Sequence, residues 1–189
     1  MPRTQIGGKY DQADLSLFAL KRTMVDAGID VACPASEGIV CTIAGRGYTF
    51  DPRTVSFYEV ETDYYHSIAT SDFHTVNDRF LSVAGYIGAS AALEMTYAML
   101  HNKPILLMYP PVLAETVDPA CADIIQDRIG MLHIHDLTTM RREEIASLGN
   151  SLAEQQPDYG LDKYAGEVIM AQVDRLFLEI QQAPLHVEE

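Results

Sequence analysis

One carboxylate in this sequence lies where it can do chemistry. Glu94 belongs to residues 85–98, in which a glycine-rich turn runs directly into an apolar helical pattern. A carboxylate near the start of such a helix can attack an electron-poor carbon or stabilise a developing cation, provided that the turn admits a ligand. Glu94 is therefore the first candidate for a catalytic residue.

Local spacing separates this interpretation of Glu94 from a capping role. A capping box needs the acid three residues after a Ser or Thr cap, but Ser90 precedes Glu94 by four residues and Ala91 precedes it by three. An exposed acid that is favoured by the helix dipole remains the alternative. Ser90, Glu94 and Tyr97 share one helical face, which is more typical of a pocket wall than of a core stripe. Tyr97 is predicted either to position Glu94 by a hydrogen bond or to pack in the core.

The turn before this helix is the predicted substrate-binding segment. Gly85 and Gly88 can bring backbone amides close to a ligand such as a phosphate, with Ser90 adding a hydroxyl, and Tyr86 lies between the two glycines. A tight turn that simply requires glycine is the alternative reading of both positions.

Other reactive side chains form weaker patterns. His133 and His135 are two residues apart on a predicted strand, and no third ligand near them in sequence completes a metal site, so no metal is expected. The three cysteines are odd in number and lack metal-type spacing, which indicates reduced, structural thiols.

Composition limits the class of protein. The 189 residues are enough for one domain, predicted to span residues 1–189, and 48% of them are hydrophobic. The formal net charge of −14 argues against a nucleic-acid partner, which needs clustered Lys and Arg. No apolar run reaches the length of a membrane span, and the N-terminus has no signal-peptide core. A cytoplasmic protein without a membrane partner is the expectation.

Strand and helix patterns alternate along the chain, which predicts an α/β fold with a parallel sheet of about five strands. A hairpin or ligand-side excursion is predicted between residues 38 and 50. The predicted strands cover residues 4–8, 29–34, 73–77, 104–109 and 131–135, and the predicted helices cover residues 11–27, 58–70, 90–101, 117–129, 140–152 and 161–182.

Three polar or small residues are predicted to lie at the ligand-binding edge of this sheet. Gly7 and Gly8 end the first strand, and Asn77 ends the third. Ligands of α/β sheets bind at the carboxyl ends of the strands, so these residues are candidates for substrate contact together with the segment 85–94. The alternatives are an N-terminal tail and turn for the two glycines, and a turn cap for Asn77.

Residues 73–109 resemble the nucleoside 2-deoxyribosyltransferase-like family. The resemblance rests on Val-Asn at 76–77, Gly-Tyr-Ile-Gly-x-Ser-x-x-x-Glu-x-x-Tyr-Ala at 85–98, and Asn-Lys-Pro-Ile at 102–105. The preceding helical segment 61–68, which ends at Ser-Asp-Phe, fits as well. The similarity is looser over the first 35 residues and absent after about residue 115.

This resemblance implies a flavodoxin-like, Rossmann-like sheet with helices on both faces, and cleavage or transfer at the N-glycosidic bond of a nucleoside or nucleotide. Glu94 would attack the anomeric carbon, where the transition state is cationic, and Asp63 would be its acid/base partner. The resemblance implies no cofactor. It does imply a homo-oligomer, either a dimer or a larger assembly.

Two positions depart from the family pattern. Asp63 lies one residue out of register with the family's acid, so that Tyr64 takes the aligned place, and Gly88 stands where some members carry an aspartate. Two alternatives stay open: a noncatalytic nucleotide-sensing module, and a phosphoribohydrolase of the cytokinin-activating type. The motif of the latter places its acid nearer to the last glycine than Glu94 is to Gly88.

Overall fold

Five parallel strands form the central sheet of the protein. The computed structural model describes residues 1–8, 16–43, 46–80 and 82–182. The sheet has the order β5-β4-β3-β1-β2, and every neighbouring pair is parallel. This is the 2-1-3-4-5 order of flavodoxin-like folds, so the predicted parallel sheet is confirmed. The strands are β1 (Arg3–Gly7), β2 (Asp30–Val31), β3 (Phe73–Val76), β4 (Ile105–Leu107) and β5 (His133–Ile134).

Helices connect the strands and cover both faces of the sheet. They are α1 (Ser16–Asp26), α2 (Phe57–Thr70), α3 (Ala89–Leu100), α4 (Pro119–Asp127), α5 (Arg142–Ala153) and α6 (Lys163–Gln182). Pro119 occupies the first turn of α4, as predicted, where a missing N–H costs no hydrogen bond. The predicted start of the first helix, at residue 11, lies outside the described residues.

Alternate residues of the strands pack into two separate cores. Ile6, Phe73 and Leu106 face α1 and α5, whereas Ile105 and Leu107 face the other four helices. Successive strand residues point to opposite faces, so each buried strand serves both layers. The result is a three-layer α/β sandwich, as the resemblance implies.

Some predicted strands are shorter in the structure. The strand predicted at residues 104–109 is only Ile105–Leu107, because Pro104 lacks an N–H and because the N–H groups of Met108 and Tyr109 donate to Asp78 instead of to a neighbouring strand. The start of the last predicted strand is a 3₁₀ turn, Ile129–Met131. The predicted hairpin is present as Cys41–Ile43 paired antiparallel with Arg46–Tyr48.

Short strand pairs also hold the segment between β3 and α3. Arg79–Phe80 pairs antiparallel with Val83–Ala84, and Tyr86–Ile87 pairs parallel with Val112–Leu113. Between them, Gly85 has φ +80°, and a Cβ there would collide with the Pro110 carbonyl oxygen. Glycine is required at this position by the close approach of two backbones.

A buried aspartate ties the ends of β3 and β4 together. Asp78 has no solvent exposure, and its carboxylate accepts the N–H groups of Met108 at 3.1 Å and Tyr109 at 2.7 Å. Burial raises the pKa of Asp78 to about 6, and the backbone hydrogen bonds oppose that rise. The ends of β3 and β4, at the carboxyl edge of the sheet, are thereby held in one arrangement.

Asp78→Ala should lower the free energy of unfolding by about 2–4 kcal/mol, because two buried N–H groups lose their acceptor. Urea unfolding at neutral pH measures the difference. Asp123→Ala, at an exposed position of α4, is the matched control and should change stability by less than about 0.5 kcal/mol. Equal stabilities of the two variants would contradict the role of Asp78 in tying β3 to β4.

Among the described residues, no helix combines the length and the hydrophobicity that crossing a bilayer requires.

Candidate functional site

A cavity of about 400 Å³ opens beside Glu94 at the carboxyl edge of the sheet. Four of the residues predicted to form a site line it, namely Gly8, Asp63, Ser90 and Glu94. The rest of the wall is mostly apolar and comes from β1, α1, the segment after β2, the end of the hairpin and α2. Those residues include Ile6, Leu17, Pro34, Phe50 and Val60. The cavity is of the size and character that small-ligand sites have.

Glu94 is a buried carboxylate with one side-chain donor. Its residue is 8% exposed, and the hydroxyl of Tyr64 donates a hydrogen bond of 2.9 Å to Oε2. Gly88 caps α3 without a side-chain hydrogen bond, and Glu94 takes no part in the cap. The position of the side chain therefore excludes both alternative interpretations of Glu94, a capping acid and an exposed acid.

Burial dominates the proton affinity of Glu94. It raises the pKa of the carboxyl to about 8, and the nearby Glu61 adds to the rise, while the Tyr64 hydroxyl and the Gly8 N–H lower it. The carboxyl is therefore largely protonated at neutral pH. A cationic group placed beside it would favour the ionised form.

Gly7 makes room for this carboxyl. A Cβ at Gly7 would overlap Glu94 Oε2, and it would lie 2.8 Å from the Tyr64 hydroxyl oxygen and 3.0 Å from His74 Cε1. The next residue, Gly8, has φ +116°, and a Cβ there would lie 2.5 Å from the Asn77 carbonyl oxygen. The predicted pair Gly7 and Gly8 therefore lets β1 pass directly beneath the Glu94 carboxyl.

Gly7→Ala should displace the Glu94 carboxyl and lower the free energy of unfolding by about 1–3 kcal/mol, since the new methyl group meets three side chains. Thermal unfolding and a crystal structure of the variant measure the two effects. Gly130→Ala is the matched control, because a Cβ there meets no atom within 4 Å. If Gly7→Ala is as stable as the control, the close packing described here is contradicted.

Helix α2 supplies the other polar residues of the cavity. Ser56 and Glu59 form a capping box that sets where the helix begins. From that start Glu61 and Tyr64, one turn apart, both face the cavity. Asp63 also lines it, although its residue is exposed, whereas Glu61 is half-buried and burial raises its pKa.

Sequence reasoning overlooked Glu61 and treated Tyr64 only as a mismatch to the family's acid. A signal was present, because Glu61, Tyr64 and Ile68 recur at helical spacing along the side of α2 that packs on the sheet. A polar group on a buried face needs a partner. Tyr64 finds one in Glu94, and Glu61 faces the cavity.

The glycine-rich turn lies at a second cavity rather than around Glu94. Tyr86, Gly88 and Ser90 line a neighbouring cavity of about 360 Å³ together with Gly8. Gly8 and Ser90 also line the cavity of Glu94, so the two spaces meet at these residues. A substrate-binding role for the turn stays a prediction.

Four residues predicted to bind substrate, namely Gly7, Asn77, Gly85 and Tyr97, line neither cavity, so a substrate contact by any of them stays a prediction. Asn77 is 2% exposed, and its amide donates to Ser16 Oγ at 3.1 Å. Gly85 serves the backbone approach described above. Tyr97 does not hydrogen-bond Glu94; its ring packs against Tyr65, with 5.0 Å between centroids, and against His101, with 4.5 Å. Of its two open roles, packing is the one found.

Metal and thiol chemistry have little support at this site. No group of three or more His, Cys, Asp or Glu side chains within the described ranges is placed to hold a metal ion. Cys33 lines the cavity, but burial raises the pKa of its thiol, which keeps it protonated and poorly nucleophilic. Glu94 remains the candidate reactive group of the cavity.

Comparison with known proteins returns nothing: no family model, no curated protein and no solved structure matches the chain.

Proposed function

We propose that the protein cleaves the N-glycosidic bond of a nucleoside or nucleoside 5′-monophosphate, or transfers its sugar, with Glu94 as the nucleophile. The observation that carries the proposal is a buried carboxyl, held by a tyrosine hydroxyl, that faces a largely apolar cavity of about 400 Å³. The motif around Glu94 supports the same assignment through its resemblance to the nucleoside 2-deoxyribosyltransferase-like family.

The chemistry suits such a cavity. Ionised Glu94 attacks the anomeric carbon, the bond to the base nitrogen breaks, and its electron pair leaves with the base. The cationic transition state gains more from a carboxylate in a desolvated site than it would in water. The resulting glycosyl ester is then attacked by water in hydrolysis, or by a second base in transfer. The apolar wall at Leu17 and Phe50 is suited to a flat base.

A second acid should protonate the leaving base. Glu61 is our first candidate, because it lines the cavity and burial raises its pKa, which favours the protonated form that a donor needs. Asp63 lines the same cavity and is the second candidate. Tyr64 would orient Glu94 through its hydrogen bond and would not itself transfer a proton.

The raised pKa of Glu94 favours a noncatalytic alternative. With a pKa of about 8 the carboxyl is largely protonated at neutral pH, and a neutral carboxyl can hydrogen-bond a nucleotide without attacking it. A nucleotide-sensing module of this kind would show saturable binding and no turnover. A phosphoribohydrolase would instead release ribose 5-phosphate from nucleotides only. The resemblance also implies a homo-oligomer, and light scattering would measure the mass of the protein in solution to test this separately.

The test is incubation of the protein with a panel of nucleosides and 5′-monophosphates, in ribo and deoxy forms, with and without an added free base. Chromatography follows the free base and any new nucleoside. Glu94→Gln is run alongside, and Glu143→Gln, at an exposed position of α5, is the matched control. We expect release by the wild type and the control, and a loss of release in Glu94→Gln.

The outcomes separate the alternatives. A new nucleoside that appears only with the added base indicates transfer, and a free sugar indicates hydrolysis. Ligand binding by calorimetry without any release supports the sensing module. Release that is unaffected by Glu94→Gln excludes Glu94 as nucleophile.

A further inference from the structure

Two fully buried polar side chains lie beneath the candidate nucleophile. Gln5 of β1 and His74 of β3 are partners in the register of the sheet, and neither has any solvent exposure. Both lie on the face of the sheet that α2 and α3 cover, within an otherwise apolar core. Gln5 Nε2 donates to its own neighbour, the Ile6 carbonyl, at 3.0 Å.

The gap at Gly7, where a side chain would otherwise begin, is the place at which His74 and Glu94 meet. Glu94 Oε2 fills the position that a Cβ of Gly7 would overlap, and His74 Cε1 lies 3.0 Å from that position. Cε1 lies between the two ring nitrogens, so its hydrogen carries a partial positive charge. A neutral imidazole that turns this atom towards a carboxylate favours the negative charge on the carboxylate.

His74 is an expensive residue for this place in the core. Within the described residues, neither ring nitrogen has a partner at full hydrogen-bond geometry, and the Gln5 backbone beside the ring raises the pKa of His74 only weakly against burial; Gln5 Oε1 also lacks a partner. Burial lowers the pKa of His74 to about 3, so the ring stays neutral throughout the ordinary pH range. A leucine of similar volume would avoid the cost of burying an unsatisfied polar ring. A polar group that costs stability in the core is expected where it serves a site.

We propose that His74 is a positioning residue, which supports the ionised carboxylate of Glu94 from beneath through the gap at Gly7. The role rests on the proposed function of Glu94 as nucleophile. His74 is not assigned as a base, because it lines none of the described cavities and cannot touch a ligand there. It acts on Glu94 from the sheet side, opposite to the cavity.

Other groups also act on the Glu94 carboxyl, and they stay constant in the test. From α2, Glu61 raises its pKa and the Tyr64 hydroxyl lowers it, with Tyr65 close by; the Gly8 N–H at the end of β1 lowers it as well. Asp63 lines the same cavity. His74 faces it from β3.

The test compares His74→Leu with His74→Gln, which keeps a polar group at the position. His74→Leu should raise the melting temperature and raise the pKa of Glu94 by about one unit. At about pH 6, kcat/KM for base release should therefore fall about tenfold, and the two rates should converge at high pH, where Glu94 is ionised in both proteins. His74→Gln should restore most of the loss. Ile105→Val, at the register partner of His74 on β4, is the packing control and should leave the pH profile unchanged.

A measurement without turnover keeps the two proposals apart. The infrared carboxyl band of Glu94, identified by subtraction of the Glu94→Gln spectrum, gives its pKa directly in each variant. A shifted pKa in His74→Leu without any base release by the wild type sustains the role of His74 and overturns the catalytic proposal. An unchanged Glu94 pKa in His74→Leu overturns the role of His74, whatever the activity. So does failure of both His74 variants to fold, which would assign His74 to the core alone.

Discussion

Glu94→Gln should lower the rate of base release by about 10³-fold or more, because glutamine keeps the size of the side chain and removes the atom that attacks. The amide can still accept the Tyr64 hydroxyl hydrogen bond that the carboxyl receives at 2.9 Å. Substrate binding should change far less than turnover. Steady-state rates and calorimetric binding of the best substrate in the panel measure the two effects separately.

A graded series strengthens this result. Tyr64→Phe removes the donor to Glu94 and keeps the ring, so kcat should fall by less than in Glu94→Gln, by about 10- to 100-fold. Far-ultraviolet circular dichroism and unfolding curves check that both variants fold. A folded Glu94→Gln protein that releases base at the rate of the wild type would falsify the assignment of the nucleophile.

The dependence of stability on pH should identify Glu94 with no substrate present. The native pKa of about 8 lies above the ordinary glutamate value of 4.5, so the folded protein binds this proton more tightly than the unfolded chain does. The resulting stability is fully present below about pH 4.5 and is lost as the pH rises through about 8. Glu94→Gln has no such proton, so its stability relative to the wild type should increase by about 3–5 kcal/mol between these limits.

Urea unfolding of both proteins at intervals between about pH 5 and pH 9 measures this difference. Other titrating groups, including Asp78 and His74, are present in both proteins, so they largely cancel in the comparison. Glu143→Gln serves as the exposed control and should follow the wild type at every pH. A difference between wild type and Glu94→Gln that does not vary with pH would show that Glu94 ionises normally in the folded protein.

Local sequence patterns carried the prediction of the fold. Apolar runs bounded by Gly and Pro placed the five strands, and the hydrophobic period placed the six helices, because both signals depend on residues a few positions apart. The same patterns do not fix the ends of the strands. The strand predicted at 104–109 is only Ile105–Leu107, since Pro104 lacks an N–H and Asp78, distant in sequence, takes the N–H groups of Met108 and Tyr109.

The candidate site could likewise be predicted only where local sequence patterns define it. Glu94 was found from its spacing to Ser90 and from the glycines before it, and Gly7 and Gly8 were placed at the sheet edge by their position after a short strand. Tyr97 was assigned a face by helical period, but whether it meets a ligand or Tyr65 depends on how α2 packs against α3. Periodicity gives a direction on one helix and does not name the neighbour.

The sequence by itself determined one carboxylate as the candidate nucleophile and an alternating α/β chain as its frame, because capping, turns and helical period are local properties. Only the tertiary structure decided what surrounds that carboxylate. Tyr64 lies 30 residues from Glu94 along the chain, and its hydroxyl reaches Oε2 only after two helices pack on one face of the sheet. The environment of a buried carboxyl is set by such long-range packing, which is why its proton affinity could not be derived from neighbouring residues.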